Sequence, residues 1–198
     1  MKREINLSPE QVKAILIQAK DASLRDHLLL KTMTVGDFRV GEVVGSAARR
    51  WIKAEKRWEP AEPNLPGLQI QDLHDDGVWV KGKGSTQKYQ PLPKDLVGEL
   101  RPFIGTRKQG RIFEISEIRV EQMTRFYAKK AGVIDWKLVH PHRFRHYMTT
   151  QVARKYGVIA ARDIARHANI STTNRYIAEL PEDEKRKIIS GMEELIAV

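Results

Sequence analysis

One stretch of this chain, Gly77–Leu92, carries the pattern of a β-hairpin, and it is the only convincing sheet signal in 198 residues. Gly77-Val78-Trp79-Val80-Lys81 reads as a short strand and Gly82-Lys83-Gly84-Ser85 as a turn. Lys88-Tyr89-Gln90-Pro91-Leu92 returns antiparallel. Leu68-Gln69-Ile70 is placed to add a third strand. From Lys94 onward everything looks helical, so the hairpin has to pack among helices.

The first helix starts at Ser8-Pro9-Glu10-Gln11, where Ser8 can cap, Pro9 suits the first helical position and Gln11 completes a capping box. Val12, Ile15, Leu16 and Ala19 then form one apolar face. A second helix is expected from about Ser23 until Gly36-Asp37 breaks it. A short third helix, Phe38 to Val44, carries Arg39 and Glu42. In residues 46–66, Arg49, Arg50, Lys53, Lys56 and Arg57 alternate with Trp51, Ile52 and Trp58. Trp51, Glu55 and Trp58 share a helical face, which predicts an extra basic helix ended by Pro60, Pro63 and Pro66. After Lys94 helices are predicted over roughly 94–103, 116–131, 141–156, 158–168 and 172–178, with Gly132 and Gly157 as C-caps. A last helix, 182–198, presents Ile188, Met192 and Leu195 on one side.

Charge narrows the class of partner. Lys and Arg number 35 against 25 Asp and Glu, a formal net charge of +10, which points to a polyanion. There are no cysteines, so disulfides, thiolate zinc sites and cysteine nucleophiles are excluded. No run has the length of a membrane span or a signal peptide, so a soluble, cytoplasmic, nucleoid-associated protein is expected.

The chemistry concentrates near the C-terminus. His142 and Arg145 lie three residues apart and so share a helix face. Pro141 would open that helix, which sets both side chains near its positive end, a natural place for a phosphate. An arginine fork matches two phosphate oxygens at once, and Arg39 could hold the same phosphate from another helix. Two such arginines would stabilise a pentacoordinate phosphorus without a metal. Tyr176 could supply the nucleophile and Lys83, at a hairpin tip, the proton for a leaving oxygen. Tyr147 competes for the nucleophile's role, but it follows His146 on the helix of Arg145 and reads as a packing residue. His140 and His146 read as structural or phosphate-adjacent, and each of these residues taken alone has an ordinary surface or core explanation.

Their order is what resembles a known family. Arg39 to Glu42 as Arg-x-x-Glu, Gly82-Lys83-Gly84, Pro141 to His146 as Pro-His-x-x-Arg-His, His167, and Thr172 to Tyr176 as Thr-Thr-x-x-Tyr follow one another as in the tyrosine recombinases, the phage integrase family. Tyr176 stands nine residues after His167, as the family has it, and the resemblance runs from about residue 8 to 180. It implies a fold that is mainly α with a small antiparallel β-sheet (α+β). It implies a DNA strand cleavage through a 3′-phosphotyrosyl intermediate that needs neither metal nor other cofactor. By the same resemblance Arg39 and Arg145 clamp the phosphate, His142 and His167 hydrogen-bond it or shuttle protons, Lys83 is the general acid, Glu42 supports the arginines, and Tyr176 attacks.

The implied partner is double-stranded DNA, on which a protein monomeric in solution would assemble into a higher oligomer. The implied organisation is a catalytic domain over 1–180 and a C-terminal helix, 181–198, that docks on a neighbouring subunit. Two other readings use the same residues: a type IB topoisomerase-like enzyme that relaxes DNA, and a catalytically inactive DNA-binding relative. Three departures from the family pattern stand out. Only 38 residues precede Arg39, too few for the usual N-terminal clamp domain, which predicts a minimal enzyme or a catalytic fragment. Residues 46–66 look like an insertion, and their five basic residues an accessory DNA contact. Arg166 stands before His167 where the family commonly has glycine.

Overall fold

The structure is a computed structural model that describes residues 5–47, 49–52, 55–60, 64–82 and 87–166, and only the backbone at Arg49, Arg50, Trp51, Trp58 and Pro60. It divides into two compact units, residues 1–148 and 149–198. The fold is mainly helical with small antiparallel sheet elements, as the resemblance implied.

The first unit opens with α1, Pro9–Ala22, whose capping box forms as its sequence predicts. The Ser8 hydroxyl accepts from the Gln11 N–H at 3.2 Å, and the Ser8 N–H donates to Gln11 Oε1 at 2.9 Å. Ser23 then separates α1 from α2, Leu24–Val35, and caps it by accepting from the Asp26 N–H. Ile15 and Ala19 of α1 are buried with Leu28, Leu29, Leu30 and Met33 of α2. Val120 and Ala128 of α5, Glu117–Lys130, belong to the same core. Tyr127, also on α5, is buried and its hydroxyl donates to Asp26 Oδ2 at 2.9 Å. Desolvation first, and the carboxylate of Asp26 second, push its pKa up to about 12.

The third helix, α3, is Val40–Val44 and does not include Phe38 or Arg39. Arg39 is extended, at φ −75° and ψ 149°, and serves as the N-cap residue. Phe38 is wholly buried, so the apolar residue that looked like the first helical position is instead a core anchor ahead of the helix.

Residues 49–60 correct the sequence reading more strongly. They form no helix. Two strands, β1 (Arg49–Ile52) and β2 (Arg57–Pro60), pair antiparallel with Arg49 opposite Pro60, Trp51 opposite Trp58 and Ile52 opposite Arg57. A separation of seven residues fits two helical turns, but it equally fits two residues facing each other across a tight hairpin. The turn is made with Lys56 at φ 49°. Alternate strand residues point to one side, so Arg57 and Glu59 can meet, and they do at 2.6 Å. The ribbon is closed at its base, where the Ser46 N–H donates to Leu65 O at 3.0 Å and the Leu65 N–H to Ser46 O at 2.9 Å.

The predicted third strand at 68–70 is reduced to an isolated antiparallel bridge between Gln69 and Arg111 and does not join the hairpin. Leu68 donates to Val43 O at 3.0 Å and accepts from the Ile112 N–H at 2.9 Å, and Ile70–Asp72 is a short 3-10 turn. This crossing brings the chain so close to α3 that Gly67, at φ 81°, would place a Cβ 2.7 Å from the Gly45 nitrogen. Only glycine suits both that conformation and that space.

The predicted hairpin is present as β3 (Gly77–Lys81) and β4 (Gln87–Pro91), with Trp79 opposite Tyr89. Val78 and Val80 face the core while Trp79 is outward, the alternation expected of a sheet with one wet face. Then come α4 (Lys94–Ile104), α5 and α6 (Pro141–Tyr156). In the second unit Gly157, at φ 88°, follows α6, and α7 is Val158–Ile164. The predicted helices at 172–178 and 182–198 lie outside the described residues.

Candidate active site

Two arginines far apart in sequence are brought together around one carboxylate. Glu42 is the third residue of α3, and its side chain is only 3% exposed. Its Oε2 accepts from the Arg39 backbone N–H at 2.8 Å, which fixes the start of the helix. Its Oε1 accepts from Arg39 Nη1 at 2.9 Å. Arg145 Nη1 lies 3.9 Å from Glu42 Oε2. The Arg-x-x-Glu spacing is thus explained: the carboxylate caps the helix and holds the guanidinium of its own N-cap residue.

The arginines differ in depth. Arg39 keeps 47% of its side chain open to solvent, whereas the side chain of Arg145 has none. Arg145 is held besides by the backbone carbonyl of Asp37, which accepts from Nη1. The two guanidinium groups are set beside each other, and a buried cation in low dielectric acts on an anion more strongly than one in water. The arrangement can neutralise a phosphate oxygen and the further charge of a pentacoordinate transition state.

His142 stands at the second position of α6, three residues before Arg145. It reaches the surface while Arg145 is buried, so the shared helix face becomes a graded one. Partial desolvation, then the electrostatic influence of Arg145, His140, His146 and Arg39, push the His142 pKa down to about 4. Because the ring still meets water, its cationic neighbours are the firmer cause of that direction. At neutral pH His142 is a neutral imidazole, able to donate one proton and accept another. The His140 and His142 rings lie parallel, 6.4 Å apart.

Of the other predicted residues, Lys83, His167 and Tyr176 lie outside the described residues, as does Lys53. Lys83 follows β3, whose last residue Lys81 pairs with Gln87 across the hairpin. Arg49 and Arg50 are placed on β1 by their backbone. Arg57 is partnered by two acids, Glu55 at 2.5 Å and Glu59 at 2.6 Å, so its charge is locally offset. Lys56 is exposed at the turn. Tyr147 is partly buried against the core, and desolvation and the Glu10 carboxylate raise its pKa. Both effects oppose phenolate formation there.

The sequence reading missed the Asp37 carbonyl. Its signal was the pair Gly36-Asp37, which was read only as a helix stop. Arg166, noted for standing where the family commonly has glycine, has φ 54° and directly follows the last turn of α7. That conformation is the one glycine adopts most readily.

A family model described as the phage integrase family matches residues 63–183. The chain is 27% identical over 185 residues to tyrosine recombinase XerC of Yersinia pestis, covering 86% of this chain and 54% of that protein. It is 30% identical over 126 residues to tyrosine recombinase XerC of Escherichia coli strain K12 / DH10B, covering 57% of this chain and 42% of that one. Thus the chain spans about half the length of the curated relatives it matches. Among solved structures, XerA recombinase superposes with a TM-score of 0.69 at 21% identity, over 97% of this chain and 66% of that one. The Tn1549 transposon integrase in complex with transposon right end DNA gives 0.68 at 16% identity, over 100% and 67%. At these identities the two superpositions establish the fold.

Proposed function

Because this chain belongs to the phage integrase family, we propose that it is the catalytic domain of a site-specific tyrosine recombinase that cleaves and rejoins double-stranded DNA. The observation that carries the reading is the pair of arginines, one exposed and one buried, tied through Glu42 beside the start of α6. Arg39 and Arg145 clamp the scissile phosphate. His142, neutral at working pH, and His167 hydrogen-bond its oxygens or pass a proton. Tyr176 gives its hydroxyl proton to a neutral histidine of that pair as its oxygen attacks phosphorus, a phosphotyrosyl bond forms to the 3′ side, and the bond to the 5′ oxygen breaks. The leaving oxygen takes its proton from the Lys83 ammonium. In the second step the 5′-hydroxyl of another strand attacks and returns its proton to Lys83, while the histidine returns its proton to the departing Tyr176 oxygen. One phosphoester is exchanged for another, so no external energy source is required.

Residues 1–180 are assigned to this domain, with 46–66 as an inserted ribbon, and 181–198 as a helix that docks on a neighbouring subunit once copies assemble on DNA. The ribbon is an accessory contact to the DNA backbone through Arg49, Arg50, Lys53 and Lys56; Arg57, held by two carboxylates, contributes least. No described helix is long and apolar enough to cross a membrane.

A nicked suicide duplex carrying the target site tests the reading. Wild type should accumulate a covalent protein–DNA adduct, and Tyr176→Phe should abolish it while leaving binding intact. An adduct that survives Tyr176→Phe but disappears in Tyr147→Phe would move the nucleophile to Tyr147. Strand transfer to a second duplex, rather than relaxation of supercoiled DNA alone, separates a recombinase from a topoisomerase.

A further inference from the structure

Arg145 is a buried cation whose hydrogen-bonded holder comes from a distant part of the chain. The Asp37 carbonyl that accepts from it belongs to the device that ends α2. Beyond Val35, the Asp37 N–H donates to Thr34 O at 3.2 Å and the Phe38 N–H to Met33 O at 3.0 Å. That is the bond pattern of a Schellman stop, completed by burial of both Phe38 and Met33. Its left-handed position, usually glycine, is occupied by Asp37 at φ 50°, with no exposed surface. With the N–H held on Thr34, a φ of about −60° would swing the carbonyl through roughly 110° about the N–Cα bond and off the guanidinium. Arg39 follows two residues later, so the same short stretch stops a helix, meets one arginine and presents the other.

We propose that residue 37 is a positioning residue for the phosphate clamp: its left-handed backbone aims one carbonyl at Arg145 and thereby sets where that guanidinium meets the DNA phosphate. The proposal rests on the recombinase reading above. It makes the left-handed conformation the property that aims the carbonyl, separate from whatever the buried carboxylate contributes. Asparagine and glycine tolerate this region of backbone space, whereas alanine tolerates it poorly and valine worse.

The test is single-turnover cleavage at saturating protein on two suicide duplexes, one with a normal scissile phosphate and one with a methylphosphonate there. The methylphosphonate carries no negative charge, so it depends less on the clamp. Asp37→Asn, Asp37→Gly and Asp37→Ala all lack the carboxylate, and of the three Asp37→Ala should cleave the phosphate about tenfold more slowly than the other two. On the methylphosphonate the deficit of Asp37→Ala should shrink to less than about threefold. Asp37→Val is expected to be worse than Asp37→Ala; if it does not fold, the alanine variant still decides. A deficit of Asp37→Ala that is equal on both substrates, or a loss in Asp37→Gly as large as in Asp37→Ala, overturns the proposal while leaving the recombinase reading intact. A wild-type protein that forms no adduct on either duplex overturns both.

Discussion

Replacing Glu42 by glutamine should separate what this carboxylate does for the fold from what it does for chemistry. Gln keeps an oxygen that can accept from the Arg39 N–H, so the start of α3 is largely retained. What is lost is the charge facing Arg145 at 3.9 Å. With an effective dielectric constant of about 20, two unit charges at that distance attract by about 4 kcal/mol. Arg145 has no solvent to turn to, and leaving one partner of a buried pair uncompensated costs about 3–5 kcal/mol. The Arg39 contact, half open to water, adds at most about 1 kcal/mol. We expect Glu42→Gln to lose about 3 kcal/mol, which lowers the melting temperature of a chain this size by about 6–12 °C. Thermal unfolding followed by circular dichroism reads it directly. Two companions sharpen the result. Arg39→Gln should cost less than about 1 kcal/mol in stability yet lose cleavage on the order of a hundredfold. In a cycle with Arg145→Met, the two single losses should fail to add by at least 1 kcal/mol. The reasoning is refuted if Glu42→Gln is no more destabilising than Arg39→Gln, or if its loss vanishes in high salt, since only an exposed pair is screened that way.

Other outcomes follow from the same structure. Gly67→Ala combines a left-handed φ with a 2.7 Å approach to backbone, whereas Gly132→Ala has a φ of 73° and open space. The first should therefore cost at least about 2 kcal/mol more than the second in chemical denaturation, and equal costs would mean that the crossing at Gly67 is not tight. His142 has a folded pKa near 4, below its unfolded value, so the unfolded chain binds the proton first. Its contribution is present above about pH 6.5 and is lost as pH falls towards 4, and His142→Gln should flatten the stability profile in that window. Arg166→Gly should raise stability slightly, by about 0.5–1 kcal/mol, because glycine adopts φ 54° without a Cβ penalty; a lower melting temperature would contradict this.

Much of the helical framework was legible because its signals are local. Ser8 and Gln11 form the capping box their spacing suggests, and the bounds of α5 and α6 follow Ser116, Gly132, Pro141 and Gly157 to within a residue or two. The β3–β4 hairpin was equally plain from its alternation and its glycines. The ribbon at 49–60 was not, because Trp51 and Trp58 satisfy two periods at once and only pairing across the turn decides between them. In the site, the three-residue spacing of His142 and Arg145 revealed a shared face but not depth. That one is buried and the other exposed depends on contacts from Asp37 and Glu42, about a hundred residues away. The only signal for the Asp37 carbonyl was the helix stop at Gly36-Asp37, because a backbone group has no side-chain signature of its own.

The closed base of the β1–β2 ribbon has a consequence for how this chain can change. Ser46 and Leu65 exchange both of their backbone hydrogen bonds, so the chain leaves and re-enters the body at points about 5.5 Å apart. The paired strands β1 and β2 are carried between those two points. Doubling or halving the length of the ribbon alters the closure entropy by only about 0.6 kcal/mol, while α3 and the arginine it presents keep their place. Related chains can therefore trade this ribbon for a tight turn, a longer arm or another small module without re-engineering the chemistry beside it.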